Sequence, residues 1–180
     1  MCIRDRSRRL AQLSGSVLLL NRIEAQTILT DCTDFSLDEQ LRQSVLVTQQ
    51  KWRQKELDFD ADLVPAEYTG SEGLLKEVWL NLLDNAAKFA AKGTTITVQI
   101  TKKDGKAYTS IRNLGATIPP DELSLLFDRF HKADYSRSMD REGVGLGLYI
   151  VKTILGNLKE NITVTSEDGV TNFTFTLTLA

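Results

Sequence analysis

The sequence predicts an α+β domain with a mixed, mostly antiparallel sheet and helices on one of its faces, preceded by a separate helix. Three observations carry this prediction. Residues 95–101 and 107–113 alternate apolar with polar and are joined by Lys103-Asp104-Gly105-Lys106, a hairpin signal. Residues 162–166 and 172–179 repeat the pattern around Asp168-Gly169. Segments at helical spacing stand between these runs, so the strands pair mostly with sequence neighbours.

The elements follow in order. Leu10, Leu13, Val17, Leu20 and Ile28 recur at helical spacing, with Arg22, Glu24 and Gln26 between them. Such a stripe needs a cover. A helix of another subunit or of preceding sequence is expected to supply it, with packing on its own domain as the alternative. Residues 1–6 match nothing downstream and are set aside as an artefact. Residues 30–35 are turn-rich. Ser36 with Glu39 forms a capping box that opens a helix to about residue 54. Residues 57–60 and 68–70 read as short strands on either side of Pro65. Ser71 and Glu72 open a helix carrying Leu75, Val78, Trp79, Leu82, Leu83 and Ala86, closed at Lys92-Gly93. Pro119-Pro120-Asp121-Glu122 starts a short helix ending near Phe130. Residues 131–147 are polar, charged and glycine-bearing, a pattern expected of a mobile loop. Helical spacing resumes over residues 148–155. There is no internal repeat.

Composition narrows the function classes. The chain has 180 residues, enough for one domain and an appendage. Its net charge of −2 gives no electrostatic reason to expect nucleic acid or an anionic membrane as partner. Cys2 and Cys32 form neither a metal spacing nor a disulfide framework, so a reducing cytoplasm is expected. No apolar run approaches the ~20 residues that cross a bilayer, and the basic start at residues 4–9 lacks the apolar stretch of a signal peptide.

Three segments carry chemistry. Glu77, Asn81, Asn85 and Lys88 fall on one helical stripe. Asn disfavours helix interiors, because its amide competes for backbone hydrogen bonds. Two of them a turn apart therefore want a reason. An amide oxygen is a hard neutral ligand that suits Mg²⁺, which substrate phosphates complete. Lys88 is placed to meet a phosphate oxygen. A solvated polar face fits the same pattern. The second segment is Gly143-Val144-Gly145-Leu146-Gly147-Leu148, which opens a helix. Alternating glycines turn backbone N–H groups toward an anion, and a helix N-terminus adds its dipole. A flexible hinge is the alternative. The third is Asn113-Leu114-Gly115-Ala116-Thr117-Ile118-Pro119. There Asn113 can accept from an amino group, and Gly115 lets a flat ligand approach. An ordinary strand-to-helix turn also fits.

Taken in order, Asn-x-x-x-Asn-Ala-x-Lys-Phe, Asn-x-Gly-x-x-Ile-Pro, Phe-Asp-Arg-Phe at residues 127–130 and Gly-x-Gly-Leu-Gly-Leu resemble the N, G1, F and G2 boxes of bacterial sensor histidine kinases. The resemblance covers about residues 8–180. It implies the two-layer α/β sandwich shared with gyrase- and Hsp90-type ATPases, with ATP and Mg²⁺ as cofactors. Residues 1–32 would be one helix of the family's dimerisation and phosphotransfer hairpin, and residues 33–180 the catalytic domain. Asn85 would ligate Mg²⁺, with Asn81 beside it at the phosphates. Lys88 would contact phosphate and Phe89 would flank adenine. Asn113 would read the adenine amino group, with Gly115, Ile118 and Thr171 completing that end. Gly143, Gly145, Leu146, Gly147 and Leu148 would line the phosphates. Lys132 and Arg137 would neutralise γ-phosphate from a lid. Implied partners are a histidine-bearing hairpin of the same or a partner subunit, a response regulator and, at full length, a second copy in a homodimer; nucleic acid is not among them. A cytoplasmic location is implied.

Departures limit the match. The family's acceptor histidine lies on the first hairpin helix, whereas His131 follows Phe130 as a lid or surface residue. The chain is expected to begin downstream of an acceptor and not to autophosphorylate. Asn113 stands where most of the family has Asp, Thr117 replaces a glycine, and Leu158-Lys159-Glu160 replaces His-Gly-Gly. Three competing functions remain. A silent ATP-binding module fits the missing acceptor. A gyrase- or Hsp90-type hydrolase would want a glutamate base at Asn81. A serine kinase acting on an anti-sigma antagonist would lack the N-terminal helix.

Overall fold

In a computed structural model the protein is described over residues 3–25, 32–131 and 145–179. Seven strands and five helices run in the order α1 (Ile3–Glu24), β1 (Thr33–Ser36), α2 (Leu37–Lys51), β2 (Asp58–Leu63), β3 (Glu67–Gly70), α3 (Glu72–Phe89), β4 (Thr95–Lys103), β5 (Lys106–Leu114), α4 (Pro120–Leu123), α5 (Gly147–Asn157), β6 (Ile162–Glu167) and β7 (Val170–Thr178). A single 3₁₀ turn, Arg53–Lys55, follows α2.

The main sheet has the order β2-β4-β5-β7-β6. Only β2 and β4 run parallel, as a connection through α3 requires. The other pairs are antiparallel. Both hairpin turns carry two left-handed residues, Asp104 with Gly105 and Asp168 with Gly169, which suits the strand twist.

Alternation sorts the strands into two faces. Ile96, Val98 and Ile100, then Ala107 and Ile111, then Phe173, Phe175 and Leu177 are buried under the helices. The opposite phase of β4 and β7, including Thr97, Gln99, Asn172 and Thr174, is less buried. The helices supply Leu75, Val78, Trp79, Leu82, Leu83, Val151, Ile154 and Leu155 to the same core. Trp79 packs on Phe175 at 5.3 Å between centroids, and its Nε1 donates to Gln40 Oε1 at 2.8 Å. Gln40 Nε2 in turn donates to Glu72 O at 2.8 Å, so α2 and α3 share a satisfied buried amide.

Helix starts follow the predicted caps. Ser36 Oγ accepts from Glu39 N at 3.3 Å, and Ser71 Oγ accepts from Leu74 N at 3.4 Å. Other boundaries moved. Residues 33–35, expected in a turn, form β1 together with Ser36, and this strand pairs with β3 away from the main sheet. Four residues with no apolar alternation give no strand period, so only the partner reveals them. Helix α2 ends at Lys51 and α3 at Phe89, before the expected Gln54 and Lys92. Only residues 120–123 of the segment leading to Phe130 are helical. Helix α1 starts at Ile3, so most of the stretch set aside as an artefact is helical backbone.

The α1 stripe divides. Leu20 and Ile23 are buried against the domain, while Leu10, Val17 and Leu18 are exposed. Asn157 Nδ2 on α5 donates to Ile23 O at 3.2 Å. Packing on its own domain, the alternative in the sequence, holds for the end of α1. Ile28 lies outside the described residues.

Candidate functional site

The predicted stripe on α3 is neither core nor open surface. Glu77, Asn81, Asn85 and Lys88 are each half-buried, beside fully buried Leu82, Leu83, Ala86 and Ala87. The stripe thus borders the core and is only partly open to solvent. Asn81 Nδ2 donates to Glu77 O at 2.8 Å, which fixes the amide. Its Oδ1 then faces the start of α5: a Cβ added to Gly147 would lie 2.9 Å from it. Leu146 caps α5 without a side-chain hydrogen bond. The first N–H groups of α5, which lack helical partners, thus open beside Asn81. Lys88 Nζ stands 5.3 Å from the Phe89 ring centroid.

A second cluster lies at one end of the inward face of the sheet. Asn113 on β5 and Thr171 on β7 are register partners, 3% and 5% exposed. Among the described residues, none hydrogen-bonds the side chains of Asn85 or Asn113. Ser166 on β6 pairs with Thr171 in turn. Its Oγ lies 2.9 Å from Thr171 Oγ1 and accepts from Ile118 N at 2.8 Å. Sequence reasoning missed Ser166. A signal was available: it continues the inward phase of Ile162 and Val164, as Asn113 and Thr171 continue theirs. Three polar residues at the inward ends of three adjacent strands mark a floor that is not hydrocarbon.

Gly115 is required by the packing of the protein's own backbone. A Cβ there would sit 2.3 Å from Phe89 O. Ala90 bridges to Gly115, and Ala91 N donates to Leu114 O at 2.8 Å. The glycine lets the end of α3 close onto the end of β5. Thr117, at the other altered position, accepts from Gly169 N at 2.7 Å, while Gly115 N donates to Gly169 O at 2.8 Å. Those two bonds hold the β6–β7 turn against this segment.

The third cluster is the base of the predicted lid. Phe130 N donates to Gly145 O at 2.9 Å. Gly145 has φ +77, and a Cβ there would meet the Phe130 carbonyl carbon at 2.9 Å. Phe130 and Gly145 therefore lie side by side. Phe127 packs edge-on against Phe173 at 6.2 Å. His131 Nε2 lies 2.9 Å from Glu122 Oε2, with about a fifth of each side chain exposed, so it is less open than a surface imidazole. Leu146 and Leu148 point into the core, so their contacts with a ligand would run through the backbone. Lys132, Arg137 and Gly143 lie outside the described residues.

The donor set fits a nucleotide with Mg²⁺. A half-buried amide oxygen at Asn85 offers one hard ligand, and Mg²⁺ takes most of its other ligands from phosphate and water. No group of three His, Cys, Asp or Glu able to hold a metal alone occurs among the described residues.

Residues 70–180 match the family of histidine kinase-, DNA gyrase B-, and HSP90-like ATPases. The chain belongs to this family. Membership implies ATP binding. The matched ATPase segment starts just before α3 and takes in all three clusters. Among similar curated proteins, the sensor-like histidine kinase SenX3 of Mycolicibacterium smegmatis is 30% identical over 96% of this chain and 45% of its own length. The sensor histidine kinase CusS of Escherichia coli is 38% identical over 68% of this chain and 25% of its own. The chain thus spans less than half the length of either. The solved mycobacterial sensor histidine kinase MprB superposes with a TM-score of 0.72 at 27% identity, covering 82% of this chain and 97% of that one. The ATPase-family fold expected from the boxes is the fold observed, with a mixed, mostly antiparallel sheet.

Proposed function

We propose that this chain is the catalytic part of a sensor histidine kinase, transferring the γ-phosphoryl group of ATP to a histidine in two-component signalling. One observation carries it above the others: the fixed Asn81 amide and the uncapped start of α5 meet at Gly147. Phosphoryl transfer asks mostly for positioning and charge neutralisation, and this junction offers both to a phosphate chain. Asn85 would hold Mg²⁺ and Lys88 a phosphate oxygen. Asn113 and Thr171 would hold adenine, and Lys132 and Arg137 would act from the lid. When bound, Mg²⁺ would offset negative charge on the phosphates.

The hydrolase alternative is not favoured. Asn81 occupies the place of a water-activating base, and an amide cannot take a proton there. Its Nδ2 is also engaged with Glu77 O. His131 pairs with Glu122 at the lid base, which supports an acceptor supplied from elsewhere.

In this reading residues 1–32 belong to a dimerisation hairpin and residues 33–180 to the catalytic domain. The histidine-bearing hairpin, a response regulator and a second copy would be partners, on the cytoplasmic side where ATP is found. No helix of the described residues is long and apolar enough to cross a membrane. Transfer of label from γ-labelled ATP to an added histidine hairpin tests the proposal. Acid-labile label on that hairpin is the expected result. Steady release of free phosphate, with none on the hairpin, would contradict it.

A further inference from the structure

Lys55 lies outside every nucleotide motif, in the 3₁₀ turn after α2, yet it closes the helix that carries them. Its Nζ donates to Ala87 O at 2.9 Å, to Ala90 O at 2.8 Å and to Lys88 O. Three acceptors require three N–H groups, which an ammonium has and a neutral amine lacks. The last carbonyls of a helix have no helical partners, and a cation there also meets the negative end of the dipole. Its own carbonyl accepts from Gly93 N at 3.0 Å, so backbone and side chain grip the same stretch. The turn is itself fixed to α3. Trp52 Nε1 donates to Asp84 Oδ1 at 2.8 Å, Lys51 Nζ lies 2.5 Å from that oxygen, and Lys55 Nζ stands 5.5 Å from a Trp52 ring centroid. Burial lowers the Lys55 pKa, and the three carbonyls oppose that penalty.

From the other side, Phe89 O abuts Gly115, and Ala91 N bonds Leu114 O. Residues 87–91 are thus clamped between Lys55 and the strand end that carries Asn113. We infer that Lys55 is a positioning residue for ATP binding: it touches no nucleotide but sets where Lys88 and Phe89 stand relative to Asn113. This rests on the proposal that Lys88 and Phe89 contact the nucleotide.

The test compares Lys55→Met, Lys55→Arg and Lys88→Ala with the parent chain. Each is titrated with a fluorescent ATP analogue in Mg²⁺, well below its own unfolding midpoint. Loss of the three donated bonds should weaken binding roughly fivefold in Lys55→Met. Lys55→Arg, which keeps charge and donors, should recover most of it. A Lys55→Met protein that melts earlier but binds as the parent does, while Lys88→Ala binds weakly, would overturn the inference and leave the site assignment standing. Parent-like binding by Lys88→Ala would overturn the assignment, and the inference with it. If Lys55→Met does not fold, Lys55→Gln takes its place under the same two criteria.

Discussion

Gly147 on α5 faces Asn81 on α3 so closely that a methyl group on Gly147 would lie 2.9 Å from Asn81 Oδ1. The asparagine cannot turn away without giving up its bond to Glu77 O. Helices α3 and α5 therefore approach to the distance of a glycine. Gly147→Ala would push on the end of one side chain and on no backbone. Its unfolding midpoint should move little, a change below about 1 kcal/mol, while Mg²⁺-dependent ATP affinity should fall roughly tenfold. Thermal unfolding and nucleotide titration on the same sample separate the two effects. Equal loss in both would mean that the contact serves the fold alone.

Asn113 gives a prediction in the opposite direction. It is 3% exposed, and no described residue hydrogen-bonds its side chain. A carboxylate accepts an amino hydrogen bond about twice as strongly as an amide does, but burying it without a partner is costly. Asn113→Asp should bind ATP more tightly and unfold at lower temperature without nucleotide. The gap in unfolding midpoint should narrow as ATP is added, by mass action. An unchanged affinity would remove Asn113 from the adenine end.

Much of this was legible in the chain because the signals were local. The Ser36 and Ser71 caps, the two Asp-Gly hairpins and the α3 stripe all follow from residues a few positions apart. What could not be read depended on distant partners. Strand β1 exists through β3. The end of α3 is set by Lys55 and Gly115, 34 residues before and 26 after Phe89. Gly115 stands out in the sequence, but its close approach to Phe89 O, 26 residues away in the chain, could not be read from spacing. Leu20 and Ile23 show the same limit, since a stripe says that a cover exists and not which one.

Glu160, in the Leu158-Lys159-Glu160 triplet, ties the entry of β6 to the last strand. Burial disfavours its charge, but bonds from Thr178 and Thr176 outweigh this and hold its pKa below the ordinary value of 4.5. The carboxylate accepts from Thr178 N at 2.9 Å and from the Thr176 and Thr178 hydroxyls, each at 2.7 Å. A depressed folded-state pKa adds stability that is fully present above the unfolded value and is lost as pH falls through the folded one. Glu160→Gln should therefore destabilise by about 1–3 kcal/mol near neutral pH. The difference should shrink progressively below pH 4.5. Urea unfolding of both proteins across that range checks it, and a pH-independent difference would mean that the charge is not what stabilises.

The central claim is that α3 presents a Mg²⁺–ATP site through Asn85, which is half-buried on the same helical stripe as Asn81 and Lys88. Titration of Asn85→Ala with ATP, with and without Mg²⁺, tests it most directly. The protein should fold as the parent does and lose the Mg²⁺-dependent part of its affinity. Binding of Mg²⁺–ATP indistinguishable from the parent's would contradict the assignment of the site.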